Sequence, residues 1–244
     1  MKKRGQASIF IVVGLIILIV ASLTYVISKD IILSKLSQEP AVFSARAEPI
    51  RTHIQSCLED TSKSAIGLIG LQGGNIEVSR EEGLHVVIRD FYEDGKNTVL
   101  PLRLLEKNFD QFLVDNFPLC IKDEVIGYSL KKGKLTVDSN FKENEIIVNA
   151  NYDIKAIRED VEISYKEFEY QVPVRIGYLH NIINEVVNEQ VREPDLIHFS
   201  TLTSYDVNFL VMPLDEANYI IGVQDDKSKL DDKSYTFMFG MRFR

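Results

Sequence analysis

The chain has 244 residues, 45% hydrophobic and 26% charged, with 13 Gly, 7 Pro, no Trp and a net charge of -8. That length accommodates one large domain or two small ones, and the composition excludes collagen-like, coiled-coil and disordered classes. Two cysteines are too few for a disulfide-built fold or a four-cysteine zinc site, and the acidic balance argues against nucleic acid as a partner.

Met1-Lys2-Lys3-Arg4 precedes Gly5-Gln6-Ala7 and then 21 residues without charge, Ser8 to Ser28. As a helix this run is about 31 Å long, which matches a bilayer core of about 30 Å. It is longer than the apolar region of a cleaved secretory signal. The basic flank keeps the N-terminus in the cytoplasm, so the remainder is expected outside. Residues 1–28 carry +3, which leaves -11 of the total -8 on residues 29–244. Gly14, Ala21 and Ser22 are small enough to permit close packing of such helices. The span continues as helix through Leu36, and residues 37–48, with Pro40 and then Pro49, read as a linker.

The pattern Lys3-Arg4-Gly5-Gln6-Ala7-Ser8-Ile9 before an apolar run resembles the archaeal class III signal peptide of type IV pilin-like surface proteins. The resemblance covers residues 2–25. It implies that a membrane peptidase cuts at Gly5–Gln6, and that the apolar helix serves first as an anchor and then as the packed core of a filament. The family usually has Glu at the fifth mature position, and this chain has Phe10 there, a departure that bears on assembly rather than on cleavage. Further stretches are Ser56-Cys57-Leu58, Gly70-Leu71-Gln72-Gly73-Gly74, Val172-Pro173-Val174-Arg175-Ile176-Gly177 and Tyr235-Thr236-Phe237-Met238-Phe239. These are similar to membrane-anchored proteins of small symbiotic archaea, which implies the same anchor and an outer domain without assigning an activity.

In the outer part, Ile50, Ile54, Cys57, Leu58, Ala65, Ile66 and Ile69 recur at helical spacing and predict a helix over 48–71, stopped by Gly73-Gly74. Strands are expected at 75–79 and 84–91 around a Glu81-Glu82-Gly83 turn, with a loop at Asp94-Gly95-Lys96-Asn97. Pro101 to Cys120 reads as a helix with Leu104, Leu105, Phe109, Phe112, Leu113 and Phe117 on one face, broken or ended by Pro118. A short strand near 134–139 leads to a long alternating strand, 145–157, and a turn at Arg158-Glu159-Asp160. The strand over 161–175 changes parity, which predicts a bulge near Lys166-Glu167. A helix over 177–191 and strands at 206–213, 218–224 and 235–243 complete the chain. The fold class is α+β: a transmembrane helix (1–36), a linker (37–48) and an extracytoplasmic domain (49–244) of helices on a mostly antiparallel sheet. An alternative division sets a helical part, 49–128, against a sheet part, 129–244.

Cys57 and Cys120 are expected to form a disulfide in an oxidising exterior, and the competing reading is two free buried thiols. His53 lies four residues before Cys57, which gives two metal ligands on one helical face but no complete site; His85, His180 and His198 sit in no metal motif. Asp225 to Asp232 reads as a solvated acidic loop between strands rather than a calcium site. Gly70 to Gly74 lacks the features of a phosphate loop, so no cofactor or metal is expected, and no catalytic set is named. The aromatic strand 235–243 offers a partner-docking surface if it lies at a sheet edge.

Three functions follow as expectations. The first is a non-enzymatic, pilin-like surface protein whose contacts are membrane lipid, a signal-processing peptidase and other copies of itself through the N-terminal helix. The second is a permanently anchored single-pass protein whose outer domain binds a surface protein or envelope component. The third, an extracytoplasmic hydrolase, has no residues to name.

Overall fold

The structure is a computed structural model and describes residues 48–76, 87–194 and 202–243. The expected span over 1–36, and with it Gly5, Gln6, Phe10, Gly14, Ala21 and Ser22, lies outside these residues. Among the described residues no helix is long and apolar enough to cross a membrane. From Arg51 onward the described residues cluster as one compact α+β unit of helices and two sheets.

The first described element is α1, a helix over 48–72. Its apolar stripe is buried as the periodicity predicts: Ile54, Cys57, Leu58, Ala65, Ile66 and Ile69 are at most 2% exposed. Gly73 and Gly74 end it at φ +67° and +82°, and the Gly74 N–H reaches back to the Ile69 carbonyl at 2.8 Å. Only glycine takes that backbone without strain.

The first expected strand is absent from 75–76, and the rest of it, with the Glu81-Glu82-Gly83 turn, lies outside the described residues. Strand β1 is Asp90–Glu93, so residues 87–89 of the second expected strand are not strand. The Asp94–Asn97 loop proves to be a tight hairpin: Asp94 and Gly95 turn at positive φ into a two-residue strand, β2 (Lys96–Asn97).

Helix α2 is Leu102–Cys120. Leu105, Phe109, Leu113 and Phe117 are its buried stripe, whereas Leu104 is 39% exposed and Phe112 only half-buried, so the buried face is narrower than expected. Pro118 does not end this helix; the chain stays helical to Cys120. The Lys132 ammonium binds the carbonyls of Pro118 (3.3 Å) and Ile121 (2.6 Å), which offsets the unpaired acceptors and negative end of the last turn.

One sheet has the order β3-β4-β5-β6 and is antiparallel throughout: β3 (Glu124–Val125), β4 (Tyr128–Phe141), β5 (Ile146–Arg158) and β6 (Val161–Val172). β4 is much longer than the expected 134–139. In β5 every even residue from Ile146 to Ala156 is buried, as alternation predicts. The irregularity expected near Lys166-Glu167 is present, and it crosses the sheet: register shifts between Lys132 and Leu135 on β4 and between Asn151 and Ile154 on β5, opposite Lys166. Buried parity on β6 changes there from Ile163 and Tyr165 to Phe168 and Val172. Helix α2 covers this sheet through Phe109 on Phe141 and Phe117 on Tyr152.

Helix α3 (Ile176–Arg192) leads to the second sheet, of order β2-β1-β9-β8-β7, with β7 (Asn208–Pro213), β8 (Asn218–Leu230) and β9 (Lys233–Arg242). All its pairs are antiparallel except β1 with β9. Gly177 lies in the first turn of α3, where a Cβ would lie 2.6 Å from the Lys142 carbonyl oxygen, so only glycine permits this approach. α1 reaches both sheets: Gln55 Nε2 donates to the Glu169 carbonyl (2.8 Å), and Tyr235 donates its hydroxyl to the Ile66 carbonyl (3.1 Å).

Candidate functional site

The two sequence features tied to chemistry resolve differently. Cys57 and Cys120 are joined by a disulfide that closes a sequence separation of 63 residues and clips α1 to the last residue of α2. Cys57 is buried while Cys120 is exposed. The pairing also removes the idea of a His53–Cys57 metal pair, because the Cys57 sulfur is spent in the bridge. His180 is held by the Leu100 carbonyl at 2.7 Å, and His85 and His198 lie outside the described residues. Among the described residues no three His, Cys, Asp or Glu side chains are grouped to hold a metal ion.

The acidic loop expected at 225–232 is not a loop. β8 runs to Leu230 and turns into β9 at Asp231-Asp232, both at positive φ. Residues 226–228 bulge out of the ladder between the Asp225–Tyr235 and Lys229–Ser234 pairs, which turns Asp225 and Ser228 inward. The Asp225 side chain, 0% exposed, accepts from Arg175 Nε (2.8 Å) and Nη2 (2.6 Å), from the Ser228 hydroxyl and from the Lys227 N–H. Ser228 accepts the Arg175 N–H, and the guanidinium lies 4.4 Å from the Tyr178 ring centroid. Burial raises the Asp225 pKa, but the bonds from Arg175, Ser228 and Lys227 outweigh it and hold the carboxyl below its ordinary value. These bonds tie the start of α3 to β8.

One carboxyl departs strongly the other way. Asp110 on α2 faces Ser139 on β4, and burial pushes its pKa up to about 6, with Asp138 and Glu106 adding to the rise and Ser139 opposing it. Among the described residues no other carboxyl shares so large an upward shift.

Shallow grooves on the described surface include two. One, of about 500 Å³, crosses the outer face of the four-stranded sheet among Thr136, Asp138, Asn149, Asn151, Glu167 and Glu169. The other, of about 540 Å³, lies by Leu214, Asp215, Tyr219, Ile220, Arg242 and Phe243. Neither encloses a ligand. No protein-family model, curated protein or solved structure matches the chain.

The surface with most interaction character is a strand edge, though not the one the aromatic pattern suggests. Strand 235–243 is central: β9 pairs with β1 on one side and β8 on the other, and Tyr235, Phe237, Phe239 and Met241 are core. The sheet ends instead at β7. Its Phe209 and Val211 pack on Ile182 and Val186 of α3, while Leu210 and Met212 on the opposite face are 46% and 36% exposed. Sequence reading placed this strand but could not place it at the edge, because strand order is set by contacts remote in the chain.

Proposed function

We propose that the chain is a non-enzymatic, pilin-like surface protein, anchored by an N-terminal membrane helix with its α+β domain outside the cytoplasm. The Cys57–Cys120 disulfide is the observation that carries this reading. Such bonds persist in oxidising compartments and are rare in reducing cytosol. It supports the orientation drawn from Lys2, Lys3 and Arg4 and the anchor drawn from Ser8 to Ser28. Membrane lipid holds the helix, a signal-processing peptidase cuts at Gly5–Gln6, and Gly14, Ala21 and Ser22 allow helices of neighbouring copies to approach closely. Phe10 in place of the family's Glu favours a second reading, in which the protein stays a permanent single-pass anchor and its domain binds a surface partner.

Orientation is tested on intact cells with a membrane-impermeant reductant followed by an impermeant maleimide. The proposal expects Cys120, the exposed half of the bridge, to be labelled without lysis and only after reduction. Labelling that requires lysis overturns it.

A further inference from the structure

One end of the four-stranded sheet gathers apolar side chains that stand in water. The registers put the β3–β4 turn, Ile126-Gly127, and the β5–β6 turn, Glu159-Asp160, at the same end: Val125 pairs with Tyr128, Ser129 with Ile157 and Arg158 with Val161. Helix α2 points its last turn the same way. Its Phe109 lies on Phe141, at the opposite end of β4, and its Phe117 lies on Tyr152, midway along β5. Leu119, Ile126 and Val161, which mark this end, are 79%, 64% and 41% exposed.

Ile126 is the odd residue among them. It is β-branched at φ +52°, a backbone that favours Gly or Asn, and those residues would also suit a turn facing water. Charge at this end is balanced as well. Residues 121–132 and 155–162 carry five basic and five acidic side chains, in a chain of net charge -8.

Position selects the occupant. α1 runs beside β6 in the same direction, with Arg51 bound to the Glu167 carbonyl (3.5 Å) and Gln55 to the Glu169 carbonyl (2.8 Å). From Glu167 back to Val161 β6 covers about 20 Å, whereas α1 covers only about 4.5 Å from Arg51 back to residue 48. The turns therefore extend roughly 15 Å past the point from which the chain departs toward the proposed span. Fully extended, residues 37–48 reach at most about 40 Å, which keeps this end close to the bilayer. The five-stranded sheet, by contrast, meets α1 at Ile66, about 22 Å beyond Arg51 along the helix. We propose that the end of the domain marked by Leu119, Ile126 and Val161 rests on the outer surface of the bilayer that holds the anchor, with Ile126 inserted among neutral lipids. This rests on the anchoring reading and adds to it the surface that the domain turns to the membrane.

The test uses the full chain, methyl-labelled at Ile, Leu and Val, in phosphatidylcholine nanodiscs loaded with single copies and carrying a nitroxide on the lipid head group. Broadening of the Leu119, Ile126 and Val161 methyl signals is expected to exceed that of Leu210 and Leu214 severalfold. It should persist at about 0.5 M salt, because apolar contact is not screened as charge attraction is. Ile126→Asn suits the turn, so it keeps the circular dichroism of the parent and reduces the broadening at Leu119 and Val161 severalfold. Methyl signals from Ile9 to Ile27 report the anchor in the same spectra. Broadened anchor signals beside sharp signals from Leu119, Ile126 and Val161 overturn this proposal alone. A chain that fails to insert overturns the anchoring reading, and this one with it. Stronger broadening on β7, loss of the effect in salt, or an unchanged pattern in Ile126→Asn also overturns it. So does broadening that appears only when discs hold several copies, which would give the surface to a second copy.

Discussion

Removing one partner of the Arg175–Asp225 pair is the sharpest test of how the α3–β8 junction is held. The two nitrogens sit 2.8 and 2.6 Å from the carboxylate oxygens, Asp225 is fully enclosed and the Arg175 side chain is 13% exposed. Charge centres about 4 Å apart in an effective dielectric of about 20 attract by about 4 kcal/mol, comparable to the cost of desolvating them. The intact pair therefore adds little net stability, yet breaking it strands a buried charge. Asp225→Asn and Arg175→Met should each cost about 3–5 kcal/mol. For a unit of this size that is a fall in Tm of roughly 6–20 °C. Arg175→Met combined with Asp225→Leu should cost clearly less than the two single costs added. With no Trp in the chain, far-ultraviolet circular dichroism during urea or thermal unfolding is the suitable assay. Because the folded Asp225 pKa is depressed, its stabilisation is present above the unfolded value near 3.9 and is lost as pH falls through the folded value. Asp225→Asn should thus flatten the acid limb below about pH 4. A single variant within 0.5 kcal/mol of the parent, or a double variant as costly as the sum, would refute this reasoning.

Asp110 should behave oppositely. Its folded pKa of about 6 lies above the ordinary 3.8, so stability falls as pH rises between those values. A rise of about 2 in pKa sets a ceiling near 3 kcal/mol, and partial exposure reduces it, so Asp110→Asn should add about 1–2 kcal/mol at pH 7 and remove the slope between pH 4 and 6. Ile126, β-branched and 64% exposed, turns the β3–β4 hairpin at φ +52° beside Gly127, and Ile126→Asn should stabilise by about 1 kcal/mol in chemical denaturation. Reducing Cys57–Cys120, or replacing both by Ala, frees a 63-residue separation and should cost about 4 kcal/mol, seen as a fall in Tm of roughly 8–16 °C. Gly177→Ala forces a Cβ against the Lys142 backbone and should cost about 1–3 kcal/mol, measured by the same unfolding.

Elements whose burial follows local period were legible from residues alone: the α1 stripe, the even positions of β5, and the change of parity on β6 near Lys166, where β5 carries the extra residue. Others depended on distant partners. The Lys131-Lys132-Gly133-Lys134 stretch has no alternation, and it is strand because β5 supplies its ladder. Pro118 resembles a helix end, but the helix runs on to Cys120, and Lys132, from another element, binds the carbonyls of Pro118 and Ile121 where the helix does end. Asp225 to Ser228 has the composition of a loop, and only the guanidinium of Arg175, 50 residues away, makes its burial tolerable. The exposed face of β7 belongs to the same class, because neither its edge position nor the glycine opposite Leu210 is visible along one strand. The disulfide was accessible because only two cysteines exist, so one pairing was available.

The central claim, a processed and anchored surface protein, is tested most directly by the N-terminus and intact mass of the protein taken from its native membrane. The account predicts a chain beginning at Gln6, with a mass two hydrogens higher after reduction. A chain that retains Met1 to Gly5, or one that begins beyond the apolar run, would contradict it.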